Sequence, residues 1–103
     1  MSDNTALTET TYYILLSLYK PLHGYGIMQR AQELSDGRVR LAAGTLYGAL
    51  NAMVERGWIS LLPGEGRKKD YCLTPLGLEA LKKELARLRE LVASGDMILK
   101  EEA

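Results

Sequence analysis

The sequence is short of most of what chemistry needs. It holds one cysteine, Cys72, and one histidine, His23. A single thiol excludes an internal disulfide, and one imidazole beside it leaves no metal-ligand set, so no metal or other cofactor is expected. There is no glycine-rich phosphate loop, no nucleophile elbow and no pair of carboxylates at a spacing that suits acid–base work. Nothing in it looks like an enzyme. Long apolar runs are missing too: the longest, Tyr12 to Tyr19, is interrupted by Ser17 and is far below the ~20 residues that a membrane helix needs. Asp3 and Glu9 stand where a secretory leader would be basic, so the expected compartment is the cytoplasm and no membrane partner is expected.

Charge of one sign is also lacking, because 13 Lys/Arg balance 13 Asp/Glu. The distribution is less even. Residues 10–74 hold eight basic against five acidic residues, while residues 1–9 and 75–103 are net acidic. Three cations of the central excess are consecutive: Arg67, Lys68 and Lys69. A local patch of this kind decides partners more than the total does.

What is present is the material of one small globular domain: 103 residues, 47% of them hydrophobic and 25% charged. A chain this short buries its own surface only modestly, which favours an oligomer. Thr8 is an expected N-cap for a helix over about 9–20, with Tyr12, Leu15, Leu16 and Tyr19 in one stripe and Ile14 and Leu18 widening it. Pro21 ends that helix. A second helix is expected over about 26–35, with Ile27, Ala31 and Leu34 inward. Asp36-Gly37 is a turn dipeptide, and the alternation Arg38-Val39-Arg40-Leu41 reads as a very short strand.

The stretch that organises the chain follows, from Leu41 to Leu61. Leu46, Ala49, Leu50 and Met53 fall on one helical face. The opposite face carries Gly44, Gly48, Asn51 and Glu55, flanked by Thr45 and Tyr47. Each internal glycine costs a helix about 1 kcal/mol relative to alanine, so two on an outward face imply the close approach of something bulky. The residues leave two readings open: a groove-reading helix, or a core helix whose glycines pack on another helix. Gly57 supplies a left-handed stop. Trp58–Leu62 and Lys69–Leu73 then form a hairpin around Pro63-Gly64-Glu65-Gly66. Thr74-Pro75 signals the start of a last helix, in which Leu78, Leu81, Leu85, Leu88 and Val92 alternate at spacings of three and four. That seam has two readings, packing onto the first helix of the same chain or a coiled-coil contact with a second copy, and its strict order on a helix this long favours the second. Leu76 and Leu91 lie off it and are free to face the protomer body, and Ser94-Gly95-Asp96 weakens or ends the helix. His23 is expected to cap or pack, Trp58 to be core, and Cys72 to be a small apolar filler.

Helix, helix, short strand, helix, two-stranded hairpin is the order of a winged helix-turn-helix. The fold class expected is therefore mainly α with a small β-wing, a winged helix-turn-helix over 1–73 plus a C-terminal dimerisation helix over 74–103. Physically the arrangement suits double-stranded DNA: the third helix fits the major groove and the hairpin tip reaches the flanking backbone or minor groove. Asn51 and Tyr47 can bond base edges or phosphates. Glu55 repels phosphate, which confines contact to the first half of the helix. Arg67, Lys68 and Lys69, beside a glycine-framed tip, suit phosphates.

The sequence also resembles the PadR family of bacterial transcriptional regulators. The matching pieces are Y-I-L-L-S-L from residue 13, P-L-H-G-Y-G-I at 21–27, G-T-L-Y-G-A-L at 44–50, E-R-G-W-I at 55–59, and R-K-K-D-Y-C-L-T at 67–74 followed by P-L-G. They cover about residues 10–80 in order. The resemblance implies a dimeric winged-helix repressor whose C-terminal part makes the dimer, with a small-molecule effector in at least some members. A single final helix is similar to the short subfamily. Carried over by position, Tyr25, Thr45, Tyr47, Asn51, Arg67 and Lys69 are the implied DNA contacts. Asp70 stands where the family commonly has an aromatic or neutral residue, and Cys72 where it often has a polar or basic one. Residues 75–103 contain no aromatic, although some short members hold drugs against one there. A winged helix that binds only protein is the alternative.

Overall fold

A computed structural model describes residues 6–63 and 69–101. Helix α1 spans Glu9–Ser17, strand β1 Leu22–His23, helix α2 Gly24–Leu34, helix α3 Ala43–Glu55, strands β2 and β3 Ile59–Leu61 and Asp70–Leu73, and helix α4 Pro75–Glu101. It is the expected mainly helical fold with a small β-wing.

Thr8 caps α1 as expected, its hydroxyl accepting the Thr11 N–H at 3.1 Å. The helix stops at Ser17 rather than Lys20. Its end tightens as the Leu18 N–H is shared between the Ile14 and Leu15 carbonyls at 3.2 and 3.1 Å. Pro21 requires an extended residue before it, and Leu22–His23 are already strand. Tyr19 therefore leaves the helical stripe assigned to it and is 72% exposed, while Ile14, Leu15 and Leu18 form the core.

The short strand is not at residues 38–41. Val39 is buried, but its N–H goes to the Ser35 hydroxyl at 2.9 Å, not to a neighbouring strand. Left-handed Asp36 and Gly37 turn the chain out of α2 (φ 55° and 85°) and leave the segment as an irregular connection. The third position in the sheet belongs to β1. The order is β1–β3–β2, all antiparallel, with Leu22 opposite Tyr71, His23 opposite Asp70, and Ile59, Ser60 and Leu61 opposite Leu73, Cys72 and Tyr71. Helix α2 begins two residues before the expected Gly26, because His23 at the end of β1 already holds the extended N-cap conformation. Leu34, expected inside, is the last residue of α2 and lies exposed at the rim of the core.

The buried face of α3 matches expectation: Leu46, Leu50 and Met53 pack with Ile14, Leu15, Leu18, Ile27, Ile59, Tyr71 and Leu81. Gly57 (φ 80°) closes that helix, with its N–H on the Val54 carbonyl and the Trp58 N–H on Met53, both at 3.0 Å. The Thr74 hydroxyl caps α4 by accepting the Gly77 N–H at 3.0 Å. Ser94-Gly95-Asp96 does not end this helix, which runs 27 residues, roughly 40 Å. One serine and one glycine cost it only about 1–2 kcal/mol, too little to break a helix flanked by good formers on both sides.

The leucine seam of α4 divides. Leu81 is buried against the protomer and Leu78 and Leu88 are half-buried, whereas Leu85 and Val92 are exposed. Leu76 and Leu91 do not turn to the body of the protomer either, since both are exposed. One polar side chain of α4 does turn inward. Glu84 is buried and bonded by Arg87, Nε at 2.8 Å and Nη2 at 2.7 Å. That hydrogen bond holds the Glu84 carboxyl below its usual range against the opposing effect of burial, helped by the backbone of Leu7.

Candidate nucleic-acid interface

The outward face of α3 is bare. Gly44, Thr45, Gly48, Asn51 and Ala52 are all exposed, and a Cβ added at Gly44 or Gly48 would meet nothing within 4 Å. No helix among the described residues covers these glycines, so packing among those residues does not account for them. They also sit in ordinary helical backbone, and no turn demands them. The first turn of α3 is equally uncovered. Ala42 at the N-cap offers no side-chain acceptor and no acidic residue follows, which leaves the positive end of the helix dipole and its free N–H groups open to an anion.

Tyr47 flanks this face, 45% exposed. Its ring nonetheless has a specific seat. A Cβ on Gly24 would lie 2.7 Å from Cζ of Tyr47, so the phenol rests where only glycine leaves room, at the first residue of α2. Gly24 was not legible as part of the site, and the only signal for it is the glycine pair around Tyr25. Tyr25 itself is exposed, its hydroxyl accepting the Gln29 amide at 3.3 Å. Helix α2 thus supplies the seat of Tyr47 at Gly24 and, in the next residue, an exposed Tyr25. Tyr71 from β3 backs the group. Its hydroxyl is pushed up chiefly by burial and secondarily by Tyr47.

In the wing, Lys69 is exposed immediately before β3, and the pairing extends to the Leu62 N–H on the Asp70 carbonyl at 2.8 Å. Arg67 and Lys68 lie outside the described residues. Asp70 is half-buried opposite His23, at the first position of β3. Cys72 is a free, half-buried thiol beside the Ser60 hydroxyl at 3.4 Å across the strands. Trp58 packs against the core as expected, with the Arg56 guanidinium 4.5 Å above its ring. His23 occupies the N-cap of α2 without a side-chain bond to it. Among the other cations, Arg38 is engaged by Glu9 at 2.9 Å, so the connection before α3 adds less free positive charge than its sequence suggests.

Three helices, a three-stranded sheet and a long terminal helix, with an exposed glycine-bearing α3 beside a hairpin, define a winged helix-turn-helix protein. The profile of the family described as "Transcriptional regulator PadR-like family" matches residues 13–83. The chain belongs to that family, which is one of transcriptional regulators and not of enzymes. A PadR family transcription regulator from Clostridium difficile R20291 superposes with a TM-score of 0.74 at 26% identity, covering 89% of this chain and 99% of that one. A PadR-like transcription factor from Bacteroides fragilis gives 0.69 at 29%, covering 85% and 87%. An uncharacterised 37.1 kDa protein of a Streptomyces fradiae transposon is 38% identical over 71 residues, 69% of this chain. The chain matches only 20% of that curated relative's length. No helix among the described residues is long and apolar enough to cross a membrane.

Proposed function

We propose that the chain is a sequence-specific DNA-binding repressor that acts as a homodimer on a pseudo-palindromic operator. The observation that carries the reading is the face of α3, where Gly44 and Gly48 keep open space that nothing among the described residues fills or requires. A helix seated in a major groove makes use of such a face, because the backbone can approach base edges there while Thr45, Tyr47 and Asn51 reach to the sides. Helix α3 carries no cation among Ala43–Glu55, so neutralisation of phosphates falls to the wing and to the open helix end. Tyr25 and Lys69 extend the same surface. The two-fold arrangement rests on the exposed distal half of α4, and operator half-sites are then expected about one helical turn apart. Response to a small-molecule effector rests on the family alone.

Zero net charge and Glu55 favour the other reading, a winged helix that binds protein and not DNA. A gel shift and footprint of the purified chain on the region upstream of its own gene separates the two. A protected two-fold site, lost on adding salt, is expected. Failure to retain that region or any other genomic promoter fragment at low salt would remove DNA from the function.

A further inference from the structure

The C-terminal end of α3 and the N-terminal end of α4 are joined more tightly than the hairpin between them requires. Thr74 donates its backbone N–H to the Trp58 carbonyl at 3.0 Å and its hydroxyl to the Gly57 carbonyl at 2.5 Å. The same hydroxyl accepts the Gly77 N–H at 3.0 Å. Gly77 is buried with its α-carbon against the Trp58 peptide: a Cβ there would stand 2.8 Å from the carbonyl carbon and nearer still to the oxygen. That neighbour is backbone, fixed in turn by the Trp58 N–H bond to Met53 in α3. Gly57, whose carbonyl Thr74 holds, is the left-handed stop of α3. Two helix ends, one cap residue and one glycine therefore form a single rigid joint.

We propose that this joint fixes the distance between the two recognition helices of the dimer, and so selects the separation of operator half-sites. The inference rests on the dimeric DNA-binding reading above. If two copies meet along the distal part of α4, each α3 is carried by its own α4, and the angle at which α4 leaves α3 sets the span. Gly77 is buried and the Thr74 hydroxyl is engaged by Gly57 and Gly77, so both act through position. A packed joint has discrete arrangements rather than a continuous range, so a small displacement at Gly77 is amplified along a helix of roughly 40 Å.

The test is selection from a pool of random duplex DNA by the wild-type chain, Thr74→Ser, Thr74→Val and Gly77→Ala, with sedimentation and the emission of the only tryptophan, Trp58, measured on each. The wild type and Thr74→Ser, which keeps the hydroxyl, should return paired half-sites at one separation. Thr74→Val and Gly77→Ala should remain dimers, show altered Trp58 emission and return the same half-site sequence at a shifted or broadened separation. Their affinity for the wild-type spacing should fall about tenfold, as for a typical coupling between sites. If Gly77→Ala does not fold, Thr74→Val carries the test, because it removes the hydroxyl's two hydrogen bonds and replaces the oxygen by a methyl, a smaller change than a new Cβ against the Trp58 peptide. Variants that select the wild-type separation with wild-type affinity overturn the proposal. So does a loss of half-site sequence itself, which would place the effect in α3 alone. A wild-type chain that selects single half-sites or nothing overturns the dimeric DNA-binding reading, and this inference with it, before any variant is compared.

Discussion

At the scale of single residues the site separates what the fold needs from what it tolerates. Gly57 and Gly77 are required, one by its positive φ and the other by the Trp58 peptide, whereas Gly44 and Gly48 answer to nothing among the described residues. Gly44→Ala and Gly48→Ala should each raise stability, by up to about 1 kcal/mol, seen as a higher melting temperature. Each should also weaken DNA binding by holding the helix off the groove. Stabilisation without a loss of affinity would mean that the bare face is not a contact. Gly24 and Tyr47 form a second test. Because the Cβ of Gly24→Ala occupies the seat of the Tyr47 ring, that change should weaken binding in the wild type and do little in a Tyr47→Ala background. Additive losses in the double-mutant cycle would show that Gly24 acts on its own. Glu84 makes a third case. Its carboxyl is held low by Arg87, so the folded state gains from the ionised form above the ordinary carboxylate range near 4.3 and loses that gain as pH falls through the lowered value. Glu84→Gln should therefore cost about 1 kcal/mol at neutral pH, below the ~1.5–3 kcal/mol of a charged hydrogen bond because Arg87 still meets solvent and the amide keeps an acceptor, and should flatten the acid limb of the stability–pH profile. An acid limb identical to the wild type's would assign the pair no role in stability.

At the scale of elements, the parts legible in the sequence were those with a local physical cause. The Thr8 and Thr74 caps, the Gly57 stop and the buried face of α3 follow from side-chain chemistry or period, and each stands where it was expected. Misplaced features depended on neighbours. Alternation at Arg38–Leu41 resembled a strand, but a strand needs a partner, and β3 has β1 on that side. Tyr19 and Leu34 carried the right period at the wrong end of a helix, beyond the reach of the core. The role of Gly24 was invisible because the ring that needs its space comes from another helix. The wing is the element whose function is still carried by composition. If Arg67, Lys68 and Lys69 each neutralise one phosphate, a dimer makes six contacts, and counterion release gives a log–log salt slope of roughly −5 from the wings. Replacing all three with alanine should flatten the slope by up to about 5 and weaken binding nearly uniformly across sequences. Glu65 and Asp70, close in sequence, oppose the cluster and argue for less than the full value. Asn51→Ala should instead leave the slope alone and erode discrimination by about 1–3 kcal/mol if it pairs with a base. An unchanged affinity and slope in the triple variant would leave recognition to α3 and the helix ends.

At the scale of the whole molecule, the long α4 sets the problem. Its first turns are held by Gly57, Trp58 and the core, while every described residue from Leu91 to Lys100 is exposed. On the helix, Leu85, Val92 and Leu99 recur every seven residues, and Leu91 and Ile98 form a second ridge beside them. Val92 and Leu99 are 62% and 65% exposed, and a monomer would leave this face in water although burial of each such side chain contributes about 1.5–3 kcal/mol. On the dimeric reading proposed above, a second copy would supply the same face in return, as a two-fold contact requires. The division of the seam makes the test sharper than the seam alone would. Leu81 belongs to the protomer core, so a charge there should unfold the chain and say nothing about assembly. Leu85→Glu with Val92→Glu touches only the exposed half, and should give a helical, cooperatively melting monomer by sedimentation equilibrium. That monomer brings a single wing to DNA, so its salt slope should fall by about half and its preference for paired over single half-sites should vanish. A double variant that still sediments as a dimer would move the interface off the distal part of α4. Recognition by α3 would stand in that event, but the spacing of its operator would have to be set elsewhere on the protein.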